Sequence, residues 1–262
     1  MPSVQLKVMG CGEAFDGTGL GNTAILATVK GRESLLVDCG YQIPERLWRE
    51  ELHQRIRVIA FTHLHADHAL GIVPLLTRYW EENRSVPLDL VGPRGLQAWV
   101  DSALQLGYPG MGKRLPFEIR YREVSEKTAA EVRLGGRKVQ IRGARTTHSV
   151  LNQTLRFDFG KKAAFSVSGD GQITAQSKTL VAGTDIHFQE CYTLKFLTPS
   201  HADLATLQAA WGEGDPRTAP HKIVLTHAAR SERQGLVRQM RAIRRRDPRW
   251  WVAVPAENFW LL

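Results

Sequence analysis

The chain has 262 residues, enough for one large α/β domain or two small ones, and its 43% hydrophobic and 23% charged residues are ordinary for a globular protein. No apolar run approaches the roughly 20 residues of a membrane-spanning helix, and the N-terminus lacks the regions of a signal peptide, so we expect a cytoplasmic protein with no membrane partner. A net charge of +9 favours anionic partners, although a solvated basic surface explains it equally well.

Hydrophobic periodicity predicts the elements of the first half in chain order. Strands are expected at 4–9, 23–29, 34–39, 57–61 and 87–91, and helices at 44–53, 69–80 and 95–106. A glycine-rich loop, 10–22, separates the first two strands. The region 117–165 contains strand-like runs that are interrupted by glycines at 135–136, 143 and 160.

The later elements are a strand near 183–187, a helix after His201, a strand at 222–226, a helix at 230–246 and two short terminal strands. Eight arginines lie between Arg230 and Arg249, so this helix is strongly basic and nucleic acid is one candidate partner. Strands predominate early and in the middle, while helices occur in both halves. This pattern predicts two sheets face to face with helices outside, a four-layer αββα sandwich. Since no repeat or linker interrupts it, we expect one domain over residues 1–262.

A dense group of potential metal ligands follows the strand predicted at 57–61: His63, His65, Asp67 and His68. If the segment is extended, residues two apart point the same way, so His63, His65 and Asp67 are expected on one side of the loop. His68 must then turn to a neighbouring position, and the set can serve two adjacent cations. Imidazole and carboxylate ligands suit Zn²⁺, and they also bind Mn²⁺ and Fe.

Three further candidates, His148, Asp170 and His227, each follow a predicted strand. Each is weak alone, because a single histidine or aspartate is more often structural than a ligand. Their order along the chain makes them persuasive together, and ligand-bearing loops are common at the strand ends of α/β proteins.

Six motifs, taken together, resemble the metallo-β-lactamase superfamily and, within it, the ribonuclease Z-like branch of phosphodiesterases. They are GCGEAFDGTGLGN (10–22), LLVDCG (35–40), HLHADH (63–68), THS (147–149), SGDG (168–171) and LTHAAR (225–230). The resemblance covers nearly the whole chain and implies a metal-dependent hydrolase with two divalent ions. It implies that His63, His65 and His148 hold the first ion. Asp67, His68 and His227 would hold the second ion, and Asp170 would bridge the two.

The same resemblance extends to a histidine and an acidic residue that pair in the ribonuclease Z family. Glu190, within Gln189-Glu190-Cys191-Tyr192, and His201, within His201-Ala202-Asp203, occupy the corresponding places, although their neighbours differ. The implied roles are a proton donor, His201, with a pKa raised by Glu190, and a ligand, Asp67, that orients a metal-bridging hydroxide. The alternative is a surface glutamate and a helix-capping histidine.

One departure from the family affects the expected substrate. Processing ribonuclease Z enzymes carry a long arm that grips transfer RNA, inserted in the bacterial type between the counterparts of His148 and Asp170. Only 21 residues lie between these positions here, enough for two strands and a turn, so the arm is expected to be absent. The resemblance then implies a small phosphodiester substrate, such as a cyclic nucleotide, with nucleic acid still open as a partner.

Three interpretations remain open from the sequence. The first is a phosphodiesterase of this branch. The second is a hydrolase of the same fold that acts on a carboxylic ester, thioester, lactone or β-lactam. The third is a non-hydrolytic, metal-binding accessory protein. Dimerisation is common in the branch, so a homodimer is a further expectation that rests on the resemblance alone.

Overall fold

The computed structural model describes residues 4–160, 163–212 and 218–261. The strands of the first half are β1 Val4–Gly10, β2 Ala24–Val29, β3 Glu33–Val37, β4 Ile56–Ala60, β5 Leu88–Gly92 and β6 Ile119–Glu123. Those of the second half are β7 Ala130–Leu134, β8 Arg137–Arg145, β9 Gln153–Asp158, β10 Ala164–Val167, β11 Ile186–Glu190, β12 Ile223–Thr226, β13 Trp250–Val252 and β14 Asn258–Leu261. The α-helices are α1 Ile43–Arg49, α2 Ala66–Ala69, α3 Ile72–Glu81, α4 Leu96–Gly107, α5 Ala175–Val181, α6 Leu204–Trp211 and α7 Arg233–Arg246.

The strands form two seven-stranded mixed sheets with matching construction. The first has the order β14-β1-β2-β3-β4-β5-β6, and the second has the order β13-β12-β11-β10-β9-β8-β7. Each sheet has three antiparallel pairings on one side and three parallel pairings on the other, and the parallel ones come last in the first order and first in the second. Parallel strands need crossover connections, and α3, α5 and α6 lie within such connections.

Three apolar clusters bind the layers together. The largest lies between the sheets and includes Leu35 and Val58 of the first sheet and Phe157 and Phe165 of the second. A second cluster packs α1, α3 and α4 on the outer face of the first sheet. A third packs α6 and α7 on the outer face of the second sheet. The predicted αββα sandwich is therefore confirmed, while its organisation as one domain stays a prediction.

Local sequence accounts for most of these elements, but the predicted bounds differ at several of them. The helix predicted at 44–53 ends at Arg49, and the strand predicted near 183–187 lies at Ile186–Glu190. Strand β7, with the sequence Ala-Glu-Val-Arg-Leu, alternates buried and exposed residues as a strand with one covered face should. Gly143 lies inside β8 and does not interrupt it. A Cβ at this position would lie 2.3 Å from Gln153 Oε1, so the glycine makes room for that side chain. The helix predicted at 69–80 corresponds to α3, Ile72–Glu81, and a separate short helix, α2, precedes it at Ala66–Ala69. No helix in the described ranges is long and apolar enough to cross a bilayer.

The loops after β3, β4, β10, β11 and β12 lie at the carboxyl ends of parallel strands, where ligand sites commonly form. Gly40, in the loop after β3, packs directly against α2, where a Cβ would lie 1.9 Å from the Asp67 carbonyl oxygen. The Cys39 N–H donates to the His68 carbonyl at 2.7 Å, and the Gly71 N–H donates to the Cys39 carbonyl at 2.8 Å. These backbone contacts hold α2 in place at the edge where the candidate ligands meet.

Candidate metal centre

The seven predicted ligands lie together at this edge, in two neighbouring groups. The first cluster contains His63, His65 and His148, and the second cluster contains Asp67, His68, Asp170 and His227. Within each cluster, one nitrogen or oxygen atom of every residue lies within 4.8 Å of the others. The structure therefore brings together side chains that are separated by up to 164 positions in the chain, from His63 to His227.

The first cluster consists of imidazoles alone. The Nδ1 atom of His65 lies 3.2 Å from Nε2 of His148. The Nε2 atom of His63 is buried and has no hydrogen-bond partner among the described residues. A buried polar atom without a partner is costly, so a ligand that accepts its lone pair would remove this cost.

The second cluster has nearly tetrahedral spacing. Nε2 of His68 lies 3.3 Å from Asp67 Oδ2 and 3.3 Å from Asp170 Oδ1. Nε2 of His227 lies 3.3 Å from Asp67 Oδ2, 3.5 Å from Asp170 Oδ1 and 3.4 Å from Nε2 of His68. Two ligands bonded at roughly 2.0–2.1 Å to a tetrahedral ion lie about 3.4 Å apart. These residues thus fit a divalent ion of the size of zinc.

The expectation that Asp67 shares a face with His63 and His65 is wrong. The chain is extended only as far as His65, which is the N-cap of α2, and Asp67 lies in the first turn of that helix. The helical turn places Asp67 Oδ2 3.3 Å from both His68 Nε2 and His227 Nε2, in the second cluster. Asp170 contributes Oδ1 to the second cluster, and its bridging of two ions stays a prediction.

The charge states of the two clusters suit cations. Burial lowers the pKa of each histidine in the first cluster, which keeps the imidazoles in the neutral form that binds metal. In the second cluster, burial acts to lower the pKa values of His68 and His227, but neighbouring carboxylates together outweigh it and raise both. These are chiefly Asp170 with Asp38 at His68, and Asp170 with Asp67 at His227. Two buried carboxylates beside two imidazoles thus create a negative potential that a cation would neutralise.

Asp38, which the sequence analysis did not single out, helps to orient two ligands, His68 directly and His63 through Thr62. Its Oδ2 accepts hydrogen bonds from His68 Nδ1 at 2.8 Å and from the Thr62 hydroxyl at 2.8 Å. Its Oδ1 accepts from the Thr62 N–H at 2.8 Å, and the Thr62 hydroxyl lies 3.1 Å from His63 Nδ1. On the other side of the site, the Ser200 carbonyl accepts from His148 Nδ1 at 2.6 Å. Such outer partners fix the imidazole tautomer and orientation.

Replacing Asp38 by asparagine is expected to weaken metal binding by about 10–100-fold, the usual cost of losing such an outer partner. Both oxygens of Asp38 accept hydrogen bonds, whereas an amide has one acceptor oxygen, so either orientation of the asparagine turns its NH₂ toward a donor, the Thr62 N–H or the His68 Nδ1–H. The contacts that orient His68 are thereby disrupted. Competition with a chromogenic chelator measures the change. Asp89→Asn is the matched control, because Asp89 of β5 pairs with Arg122 of β6 and with none of the predicted ligands. Equal affinity in the two variants would contradict the assigned role of Asp38.

Glu190 and His201 form the expected pair. Oε1 of Glu190 lies 2.7 Å from His201 Nδ1, and its Oε2 accepts from the N–H groups of Ala202 at 2.7 Å and Gly171 at 3.2 Å. Glu190 is only 1% exposed, so it is no surface glutamate. The N-cap of α6 is Asp203, whose side chain accepts from the Thr206 N–H, so His201 is no helix cap.

The expected rise in the pKa of His201 is wrong. Burial lowers the pKa of His201, and the nearby Asp170 and Asp67 carboxylates do not fully offset it. Burial, reinforced by the charge of Asp170, raises the pKa of Glu190 well above its ordinary value. Both groups therefore favour their neutral forms at the 2.7 Å contact between Glu190 Oε1 and His201 Nδ1.

The family model described as Anti-Pycsar protein Apyc1 matches residues 4–242. The chain belongs to this Apyc1 family. The match includes all seven predicted ligands together with Glu190 and His201.

Curated relatives of this Apyc1-family chain include enzymes named ribonuclease Z. That of Clostridium acetobutylicum is 32% identical over 128 residues, which are 47% of this chain and 38% of the relative. That of Methanothermobacter thermautotrophicus is 27% identical over 163 residues, 62% of this chain and 50% of the relative. The aligned region thus spans at most about half of each of these relatives.

Solved structures with the same fold as this Apyc1-family chain include YhfI from Bacillus subtilis, described as a metallo-β-lactamase fold protein. It has a TM-score of 0.76 and 17% identity, with 98% of this chain and 99% of YhfI covered. The predicted metallo-β-lactamase fold and the resemblance to ribonuclease Z are therefore both confirmed.

Proposed function

We propose that this chain is a metal-dependent phosphodiesterase that cleaves a small phosphodiester, such as a cyclic nucleotide, at a centre of two divalent ions. The observation that carries the proposal is the convergence of the two clusters with the His201–Glu190 pair. Asp170 joins them, because its Oδ1 belongs to the second cluster and its Oδ2 lies 3.9 Å from His201 Nδ1. The alignment with enzymes named ribonuclease Z, a name that denotes cleavage of phosphodiester bonds in RNA, supports the reaction class.

The roles of the residues follow from their positions. Bound divalent ions, with Zn²⁺ expected first, would supply a hydroxide nucleophile at neutral pH and stabilise negative charge on the phosphoryl oxygens. Asp67 orients the nucleophile by accepting a hydrogen bond from it. His201 donates a proton to the leaving oxygen, and Glu190 holds the imidazole in the orientation that this transfer needs. Hydrolysis yields a phosphomonoester and an alcohol, and with a cyclic nucleotide both groups belong to a single nucleoside monophosphate.

A short segment between His148 and Asp170 supports a small substrate. Strands β9 and β10 pair antiparallel there, with Phe157 opposite Phe165, and fill the segment as the sequence predicts. A transfer-RNA arm of the bacterial type would be inserted at this place. The described residues of this segment, 149–160 and 163–169, contain no such arm, as expected for an enzyme whose substrate is a small phosphodiester.

The proposal predicts turnover of bis(p-nitrophenyl) phosphate and of nucleoside 3′,5′-cyclic monophosphates by protein that contains two metal ions per chain. Removal of the metal with a chelator should abolish both activities, and added Zn²⁺ or Mn²⁺ should restore them. Elemental analysis and steady-state kinetics on the same preparations measure this. Turnover of lactones or p-nitrophenyl acetate without phosphodiesters would establish the ester hydrolase instead. Metal without any turnover would establish the accessory protein.

A further inference from the structure

A cavity of about 620 Å³ adjoins the candidate metal centre, and its lining residues are Glu13, Tyr192, Ala229, Arg230, Ser231 and Gln234. They come from the β1–β2 loop, the loop after β11, the loop after β12 and the first turn of α7. Tyr192 lies two positions after Glu190, and Ala229 lies two positions after His227. The same loops therefore build the centre and the cavity beside it.

The ring of Tyr192 forms the wall between the cavity and the proton-donor pair. It stacks on the His201 imidazole with a centroid distance of 4.4 Å and an interplanar angle of 25°, and it lies 6.1 Å from the His227 ring. Its backbone is fixed on both sides. The N–H donates to the Ala202 carbonyl at 2.9 Å, and the carbonyl accepts from the Ala229 N–H at 2.9 Å. The cavity thus has a rigid aromatic wall next to the expected leaving group.

The other lining groups do not suit a phosphate. Glu13 is 8% exposed, and its carboxylate would repel a second anion. Arg230 carries the opposite charge, so the lining is close to neutral as a whole. The exposed hydroxyl of Ser231 and amide of Gln234 add both donors and acceptors. A neutral, planar group with hydrogen-bonding edges matches this set of groups.

We propose that this cavity binds the base of a nucleotide substrate, with the ring against Tyr192 and the edge hydrogen-bonded by Glu13, Ser231 and Gln234. This inference rests on the proposed function, because a phosphodiester held at the two clusters places the attached nucleoside beside Tyr192. Aromatic side chains that stack on a base, with polar groups at its edge, are the usual means of recognising an unpaired nucleotide. Tyr192 and Gln234 thereby become specificity-determining residues.

Two matched comparisons test the inference on the metal-loaded protein. The first is kcat/KM for a nucleoside 3′,5′-cyclic monophosphate relative to the base-free methyl riboside 3′,5′-cyclic phosphate. The second is calorimetric affinity for nucleoside 5′-monophosphates relative to ribose 5-phosphate, which needs no turnover. The parent protein is expected to prefer the nucleotide by about 10-fold or more in both comparisons, as expected for stacking of one base.

Gln234→Ala should reduce both preferences by about 5-fold, the effect of one hydrogen bond. Gln239→Ala, at an exposed position of the same helix, is the matched control and should retain them. Tyr192→Leu should reduce them by about 10-fold or more, chiefly through KM. Equal turnover of the nucleotide and the base-free substrate would overturn the inference and leave the phosphodiesterase intact. Nucleotide preference in binding without hydrolysis would support the cavity and refute the proposed activity, and absence of both would refute both.

Discussion

Replacing His65 by alanine is expected to empty the first cluster of metal and to lower phosphodiesterase activity by about 10³-fold or more. The loss removes one of three nitrogens that converge there, including the atom 3.2 Å from His148 Nε2. A catalytic metal stabilises the transition state by several kcal/mol, and each loss of about 1.4 kcal/mol reduces the rate tenfold. Elemental analysis of the purified variant and kinetics with bis(p-nitrophenyl) phosphate measure the two effects together.

The fold of this variant should persist. His65 is a partly exposed residue of the loop between β4 and α2, so its truncation opens no cavity in the apolar core. Circular dichroism of the metal-free proteins should therefore be alike for variant and parent. His221→Ala is the matched control, because His221 is exposed and its nearest charged partner, Asp185, lies 3.8 Å away, remote from the clusters. A His65→Ala protein with full metal content and full activity would refute the metal centre.

The part of the site that is local in sequence could be predicted well. His63, His65, Asp67 and His68 fall within six residues after a strand, and this density alone indicates a metal. The orientation of Asp67 could not be predicted, because the chain changes from extended to helical at Ala66 and the alternation of faces ends there.

The distant ligands depend on topology. His148, Asp170 and His227 follow β8, β10 and β12 of the second sheet, and only the pairing of β8 to β12 brings their loops to one edge. Their assignment from sequence therefore rested on the family resemblance. His227 additionally adopts a φ of 57°, a left-handed conformation that sequence periodicity does not reveal.

The supporting residues were harder to recognise. Asp38 also has a positive φ, 60°, and its carboxylate contacts His68 directly and His63 through Thr62. An aspartate after a strand has many ordinary roles in turns, so its position does not reveal this role. The signal that was available is its position at the end of the apolar strand β3. Tyr192 gave no sequence signal, because its stacking on His201 depends on the path of the loop that joins them.

Replacing His201 by alanine is expected to leave both metal ions bound and to lower kcat by about 10²–10⁴-fold on substrates with an alkoxide leaving group. The loss should be much smaller with bis(p-nitrophenyl) phosphate, because p-nitrophenolate departs without a proton. Comparing a cyclic nucleotide with this ester therefore separates proton donation from general damage to the site. Metal content decides between donor and ligand, since His201 also lies within ligand distance of Asp170, Glu190 and His227.

The pH dependence gives an independent test of the same role. His201 donates only in its protonated form, and burial lowers its pKa, so the active fraction falls as the pH rises through that value. In the parent protein, kcat for the cyclic nucleotide should decrease as the pH rises through the pKa of His201. The His201→Ala variant should not show this decrease. A variant with parental kcat on alkyl phosphodiesters, or one that loses metal together with activity, would contradict the donor assignment. If the decrease in kcat disappears while the metal stays bound, His201 is the group that protonates the leaving oxygen.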